Sequence, residues 1–214
     1  MRMLEDACAP VAIVGGAGWH AKAREHFTSF AERIGLPVAG AFRRQDAIPN
    51  SSNVWAGNLG YGPNPRLVER IKHADLLLVV GARLGEATTD SYTLVTPDHP
   101  GQTLIHVHPD PAELGSVYRP DLAICADMAE FAEAADLWDD DIVPFDAGPE
   151  AHAEWLEWST PRPNGHKLGY HDKSTAEKEA ERLKRQLAAE QEYSKDVAVR
   201  LRVERSSHAA TKGK

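Results

Sequence analysis

Cysteine is nearly missing from this chain. Cys8 and Cys125 are the two in 214 residues, too few for a disulfide framework and without the paired spacing of a zinc site. Long apolar runs are missing as well: nothing approaches the roughly 18 consecutive apolar residues that a membrane span needs. The first ten residues, MRMLEDACAP, place acids where a secretory leader has its apolar stretch. A reduced, cytoplasmic setting with no membrane partner is the expectation. Basic charge is also in deficit, with 24 Lys and Arg against 32 Asp and Glu, a net of −8. Residues 1–165 carry 12 Lys and Arg against 24 Asp and Glu, whereas 166–214 carry 12 against 8. An acidic globular part disfavours nucleic acid as its partner. No Ser-His-Asp, Cys-His or paired-carboxylate arrangement stands out.

What is present begins with a core. Hydrophobic residues make up 42% of the chain although the mean hydropathy is −0.43, so a folded part is joined to a very polar one. At 214 residues there is room for one ordinary domain and extras.

The stretch PVAIVGGAGWHA, residues 10–21, organises the reading. Val11 to Val14 form a short apolar run that ends in glycines, as a buried parallel strand does. Trp19 to Ile34 has helical periodicity, with Phe27, Phe30, Ala31 and Ile34 on one face and Gly35 as its stop. Strand, glycine turn and helix make the first half of a βαβ unit. Gly16-Ala17-Gly18-Trp19-His20-Ala21 fits G-x-G-x-x-A, which places a dinucleotide pyrophosphate at a helix N-terminus. A tight βα turn needs glycine whether or not a ligand binds, so both readings stand. The second strand ends in Phe42-Arg43-Arg44 instead of an acid, a pattern suited to the 2′-phosphate of NADP.

Further along, Leu36 to Ala41 reads as a strand and Arg43 to Pro63 as a long Gly/Asn/Ser-rich loop. Pro65 to His73 reads as a short helix and Asp75 to Gly81 as a fully buried strand. A loop carrying Arg83, Glu86, Thr88 and Thr89 follows. Thr103 to His108 forms another strand, leading through Pro109-Asp110-Pro111 into a short helix at Glu113 and Leu114. Leu122 to Cys125 is a last strand, and Met128 to Trp138 an amphipathic helix. This alternation predicts an α/β fold, a parallel sheet with helices on both faces. His106 and His108 share a face of their strand, but with no third ligand evident a structural role is expected. From Asp139 the composition changes. Residues 139–170 read as a linker with a short helix bearing Trp155 and Trp158, its indoles laid on the domain or on a neighbour. Residues 171–214 read as a charged tail, helical or disordered, too sparse in apolar residues for a coiled coil.

Taken together, several segments resemble the central domain of thiamine-diphosphate-dependent enzymes of the acetolactate synthase type. They are PVAIVGGAGWHAKAREHFTSFAERIGLPVAGAF, RQDAIPNSSNVWAGNLGYG, ADLLLVVGARLGEATTD, IHVHPDPAELG and DLAICADMAEFAEA, in order over about residues 8–138. The resemblance implies a Rossmann-like parallel sheet of six strands, with residues 1–138 as that domain. It also implies that chemistry lies elsewhere. In the family, thiamine diphosphate and magnesium are held by flanking domains, which supply an activating glutamate and a GDG…N metal-binding segment. Neither is found here, so a truncated form, inactive alone, is the expectation. Transferase or lyase chemistry on 2-keto acids belongs to the complete family.

The resemblance further implies that some members bind FAD or ADP on this domain. The matching positions are Gly15, Gly16, Gly18, Gly57, Asn58, Leu59, Gly60, Gly81, Arg83 and Asp110. Two positions depart from the FAD-binding pattern: Gly85-Glu86 replaces an acidic pair, and His108 stands for an aspartate. Three functions are therefore carried forward: a non-catalytic central domain with or without a nucleotide, an NAD(P)-dependent oxidoreductase, and a protein-interaction module. Self-association, or association with thiamine-diphosphate enzyme subunits, is expected under each.

Overall fold

A computed structural model describes residues 2–97, 100–138 and 144–160. In chain order its elements are α1 (Arg2–Glu5), β1 (Pro10–Val14), α2 (Ala21–Ile34), β2 (Val38–Gly40), β3 (Trp55–Asn58), α3 (Pro65–His73), β4 (Leu76–Val80), β5 (Thr103–His108), β6 (Leu122–Cys125), α4 (Met128–Asp136) and α5 (Ala147–Ser159). The strands form one sheet in the order β3-β2-β1-β4-β5-β6. Every neighbouring pair is parallel.

The reason lies in the side chains. Along β1, Ala12 and Val14 join Phe27, Phe30, Ala31 and Ile34 of α2 and Met128, Ala132 and Ala135 of α4 in one apolar layer. Val11 and Ile13 point the other way, into a layer with Leu67 and Ile71 of α3 and Ala151 of α5. A strand covered on both faces has no polar alternation, which is why β1 and β4 are buried along their whole length. Helix α2 starts at His20, whose Nδ1 accepts from the Ala23 amide, and stops at Gly35, with φ at 65°. Asp75 ties the strand entries together by accepting from the amides of Cys8 (2.6 Å) and Ala9 (2.9 Å) just ahead of β1.

Two elements differ from the sequence expectation. The stretch 43–63, read as loop, contains β3. Its four residues, WAGN, are an edge strand with glycine inside it, and a bulge at Val38/Ala39 shifts its register, so no apolar period marks it. The short helix expected at Glu113–Leu114 is instead a run of turns. Asp110 accepts from the Ala112 amide at 2.9 Å, and Gly115 takes a left-handed φ of 85°, which ends any helix before its second turn.

Residues 144–160 belong to the same compact unit as the sheet. Within the stretch read as a linker, α5 is folded against the sheet. The Phe145 amide donates to Ile34 at 2.8 Å and the Gly148 amide to Gly35 at 2.9 Å. Trp155 stands edge-on to Trp55, ring centroids 6.5 Å apart. The tail read over 171–214 lies outside the described residues.

Candidate functional site

In an open parallel sheet, ligands collect beyond the carboxyl ends of the strands, where the strand order reverses. Here that point lies between β1 and β4. Gly16 (φ 73°) and Gly81 (φ 73°) leave the two strands side by side. A methyl group on Gly16 would collide with the Gly81 carbonyl. One on Gly81 would strike the Met128 sulfur and lie 2.5 Å from the Gly15 carbonyl oxygen. Both turns therefore need glycine for close packing as well as for conformation. The indole N–H of Trp19 donates to the Gly15 carbonyl at 2.6 Å, which fixes the turn from behind. Gly16, Ala17 and Gly18 remain exposed.

The neighbouring exits add charge. Arg83, after β4, pairs with Glu113 at 2.8 Å. Asp110, after β5, is held in its own turn, its amide donating to His108 Nδ1 at 3.1 Å. His106 is buried, and its Nε2–H donates to the Ala82 carbonyl at 2.8 Å. Burial, the largest influence, lowers its pKa from the ordinary 6.5. The segment after Arg83 arches over the edge as far as the exit of β2, where the Phe42 amide donates to Thr88 Oγ1 at 3.3 Å.

The structure brings Gly15, Gly16, Gly18 and Gly81 together and sets Arg83 and Asp110 on the adjoining exits. Asn58 ends β3, two strands away on the same edge, and Leu59 and Gly60 follow it. Leu59 is buried, its amide donating to Gly40 at 2.8 Å. Gly57 lies inside β3 beneath the Trp155 ring, not beside the glycine turn. The two arginines suited to a 2′-phosphate are engaged locally. The Arg43 guanidinium sits 5.0 Å from the Phe42 ring centre, and Arg44 faces Asp46 at 3.5 Å.

Three participants were missing from the sequence reading. Trp19 reads there only as the start of a helix and Glu113 as part of a short helix, and Asp127 stands only within the segment DLAICADMAEFAEA. In the fold Asp127 caps α4, accepting from the Ala129 amide at 2.8 Å, and its other oxygen approaches Gly18. A helix-cap signal before Met128 was legible; its position beside Gly18 was not. Among the described residues, no group of three or more His, Cys, Asp or Glu is placed to hold a metal. His106 and His108 form no such group with a third residue.

A six-stranded parallel sheet in this order, with glycine turns meeting at the reversal point, defines a dinucleotide-type α/β domain. The family model for the thiamine pyrophosphate enzyme central domain matches residues 1–135. The chain belongs to that family. A sulfoacetaldehyde acetyltransferase of Castellaniella defragrans is 32% identical over 142 residues, which cover 64% of this chain and 22% of that protein. An acetolactate synthase large subunit of Corynebacterium glutamicum is 29% identical over 130 residues, 61% of this chain and 20% of that one. Among solved structures, a thiamine diphosphate-dependent 4-hydroxybenzoylformate decarboxylase of Rhodococcus jostii RHA1 superposes with a TM-score of 0.51 at 26% identity, covering 69% of this chain and 27% of that chain. The chain thus spans about a fifth of the length of the curated relatives it matches. It is a central domain of the acetolactate synthase-like type, and an NAD(P)-dependent oxidoreductase is not favoured.

Proposed function

We propose that this chain is a non-catalytic central domain that serves a thiamine-diphosphate enzyme acting on 2-keto acids, and that its carboxyl edge is a surface for an adenine nucleotide, ADP or FAD. One observation carries the reading: the exposed Gly16–Gly18 backbone at the strand-order reversal, closed from behind by Trp19 and by the Gly81 turn. A backbone so bared suits the close approach of a pyrophosphate. Arg83, paired with Glu113 but still largely exposed, is the cation of this reading, which such a group would share with Glu113. Asp110 and Asp127 are the acids near it. Gly15, Gly16, Gly18, Gly81, Arg83 and Asp110 form the contact set in this reading, with Gly57, Asn58, Leu59 and Gly60 at its far end. The thiazolium chemistry, with thiamine diphosphate and magnesium, belongs to other domains of the complete enzyme. Association with thiamine-diphosphate enzyme subunits, in the cytoplasm, completes the proposal.

Thermal denaturation of the purified chain with ADP, FAD, NADPH, or thiamine diphosphate plus magnesium tests this reading. A ligand at about 100 times its Kd adds roughly 2.7 kcal/mol, a visible rise in Tm. A rise with ADP or FAD alone is the expected result. A rise with NADPH would revive the oxidoreductase, and one with thiamine diphosphate would show a catalytic site in this chain. No rise with any of them would leave the scaffold role and remove the nucleotide.

A further inference from the structure

The side chain that the site does not yet use is His106. It sits on β5, between β4 and the edge strand β6, 2% exposed, with Nε2 committed to Ala82 and Nδ1 buried without a partner. A carbonyl can only accept, so the proton is on Nε2 and Nδ1 carries the lone pair. Ala82 lies between Gly81 and Arg83, in the exit of β4. Next comes a segment whose backbone holds non-glycine residues in left-handed conformations: Leu84 at φ 50°, and Asp90, Ser91 and Tyr92 at 49°, 56° and 64°. Such conformations persist only where surrounding contacts hold them.

We propose that His106 is the positioning residue of this edge: as a neutral Nε2–H imidazole it holds the Ala82 carbonyl, and with it the Gly81–Leu84 exit that carries Arg83, and it releases that exit when a second proton arrives. The surroundings explain why. A proton on Nδ1 would have no acceptor, and the charge would be buried. The opposite strand residues, Val79 on β4 and Ala123 on β6, are apolar. His108, with its ring centre 6.2 Å away, opposes a second cation. The bond to the Ala82 carbonyl favours one, but burial outweighs it; Glu113 favours one more weakly, and its carboxylate is paired with Arg83. Tyr118, on the same side of the sheet, commits its hydroxyl to the Val95 carbonyl at 3.0 Å. The protonated ring gains stable surroundings only by reaching water, and the covering turn must lift for that. The latch stands on this geometry alone; its consequence for nucleotide binding rests on the function proposed above.

Amide hydrogen exchange of the full chain, corrected for intrinsic rates, reads the latch without any nucleotide. From about pH 7.5 to about pH 5.5, protection over residues 82–95 should fall roughly tenfold while β1 and α2 hold, because an opened imidazole titrates near its ordinary value. His106→Gln keeps an amide donor for Ala82 and cannot titrate, so its protection should stay flat across that range. His106→Leu, with no donor, should lose protection at both pH values. Flat protection in the natural protein, or the same acid loss in His106→Gln, overturns the proposal. If His106→Leu does not fold, imidazole nitrogen shifts decide: an Nε2–H tautomer near neutral pH supports the latch and an Nδ1–H tautomer overturns it. ADP titrations separate the two ideas. If ADP does not bind the natural protein yet exchange follows pH as stated, the site reading fails and the latch stands.

Discussion

The indole N–H of Trp19 donates to the carbonyl of Gly15 at 2.6 Å while the ring packs edge-on against Phe27, 5.4 Å between centroids. One side chain thus ties the strand exit to the helix that follows it. Trp19→Phe keeps an aromatic ring beside Phe27 and removes the donor, stranding a buried carbonyl at a cost of about 1–3 kcal/mol. Chemical denaturation should show a lower midpoint with an unchanged slope. An unchanged midpoint would mean that the turn does not depend on this bond.

Glycines on the same edge should respond very differently to alanine. Gly16→Ala places a methyl group on the Gly81 carbonyl in a left-handed backbone. Strain and clash together should lower stability by at least ~2 kcal/mol. A methyl group on Gly85 would meet no atom within 4 Å, and the backbone there has no left-handed φ. Gly85→Ala should therefore stay within about 0.5 kcal/mol of the natural protein. Equal effects at the two positions would refute the packing argument for the turn.

Helices α2 and α4 are joined by His26 and Asp136, 2.7 Å apart. The hydrogen bond from His26, assisted by Ser29 and Arg33 and opposed by burial, lowers the Asp136 pKa from 3.8. A carboxylate lowered in the folded state binds its proton more readily in the unfolded one. Its contribution is therefore fully present above pH 3.8 and is lost as pH falls through the lower folded value. Asp136→Asn should be less stable than the natural protein near neutral pH, and the gap should close as acid is added below that point. Denaturant midpoints across the acid range measure it; a gap that persists in strong acid would assign the effect to something other than this charge.

How much of this was legible depends on how local each signal was. Helix α3 falls where Leu67, Ile71 and the flanking Pro65 place it. Strands β4 and β5 fall where their apolar runs do, because burial on both faces of a strand writes itself into the sequence. Strand β6 is short and apolar enough to read as a strand, although it lies largely exposed at the sheet's edge. Strand β3 was not legible, since an edge strand of Trp55-Ala56-Gly57-Asn58 relies on α5 for its cover, about 90 residues on. The glycine turn was visible at Gly15–Gly18, yet its meeting with Gly81 and Met128 follows from strand order, which periodicity does not encode. Arg83 and Asp110 could be named as candidates. That Arg83 is tied to Glu113, and Asp110 to its own turn, depended on a loop that folded as turns where a helix was expected.

The cover over β3 can be tested directly. His152 donates from Nδ1 to the Trp55 carbonyl at 3.0 Å and stacks on Trp155, with ring centroids 5.5 Å apart. Trp155 in turn lies against Gly57 and Trp55. Together they close an edge that would otherwise offer unpaired backbone groups to another chain. Arg70–Glu154, at 3.1 Å, adds a partly exposed ion pair between α3 and α5, which is worth at most about 1 kcal/mol. Trp155→Ala should therefore lower stability by ~2 kcal/mol, less than the full loss for a wholly buried aromatic because this ring is only partly buried. It should also increase self-association on size-exclusion chromatography relative to the natural protein. Glu154→Gln should change stability little and leave the elution position where it was. If Trp155→Ala elutes like the natural protein and unfolds at the same midpoint, α5 is a passenger on this edge and not its cover.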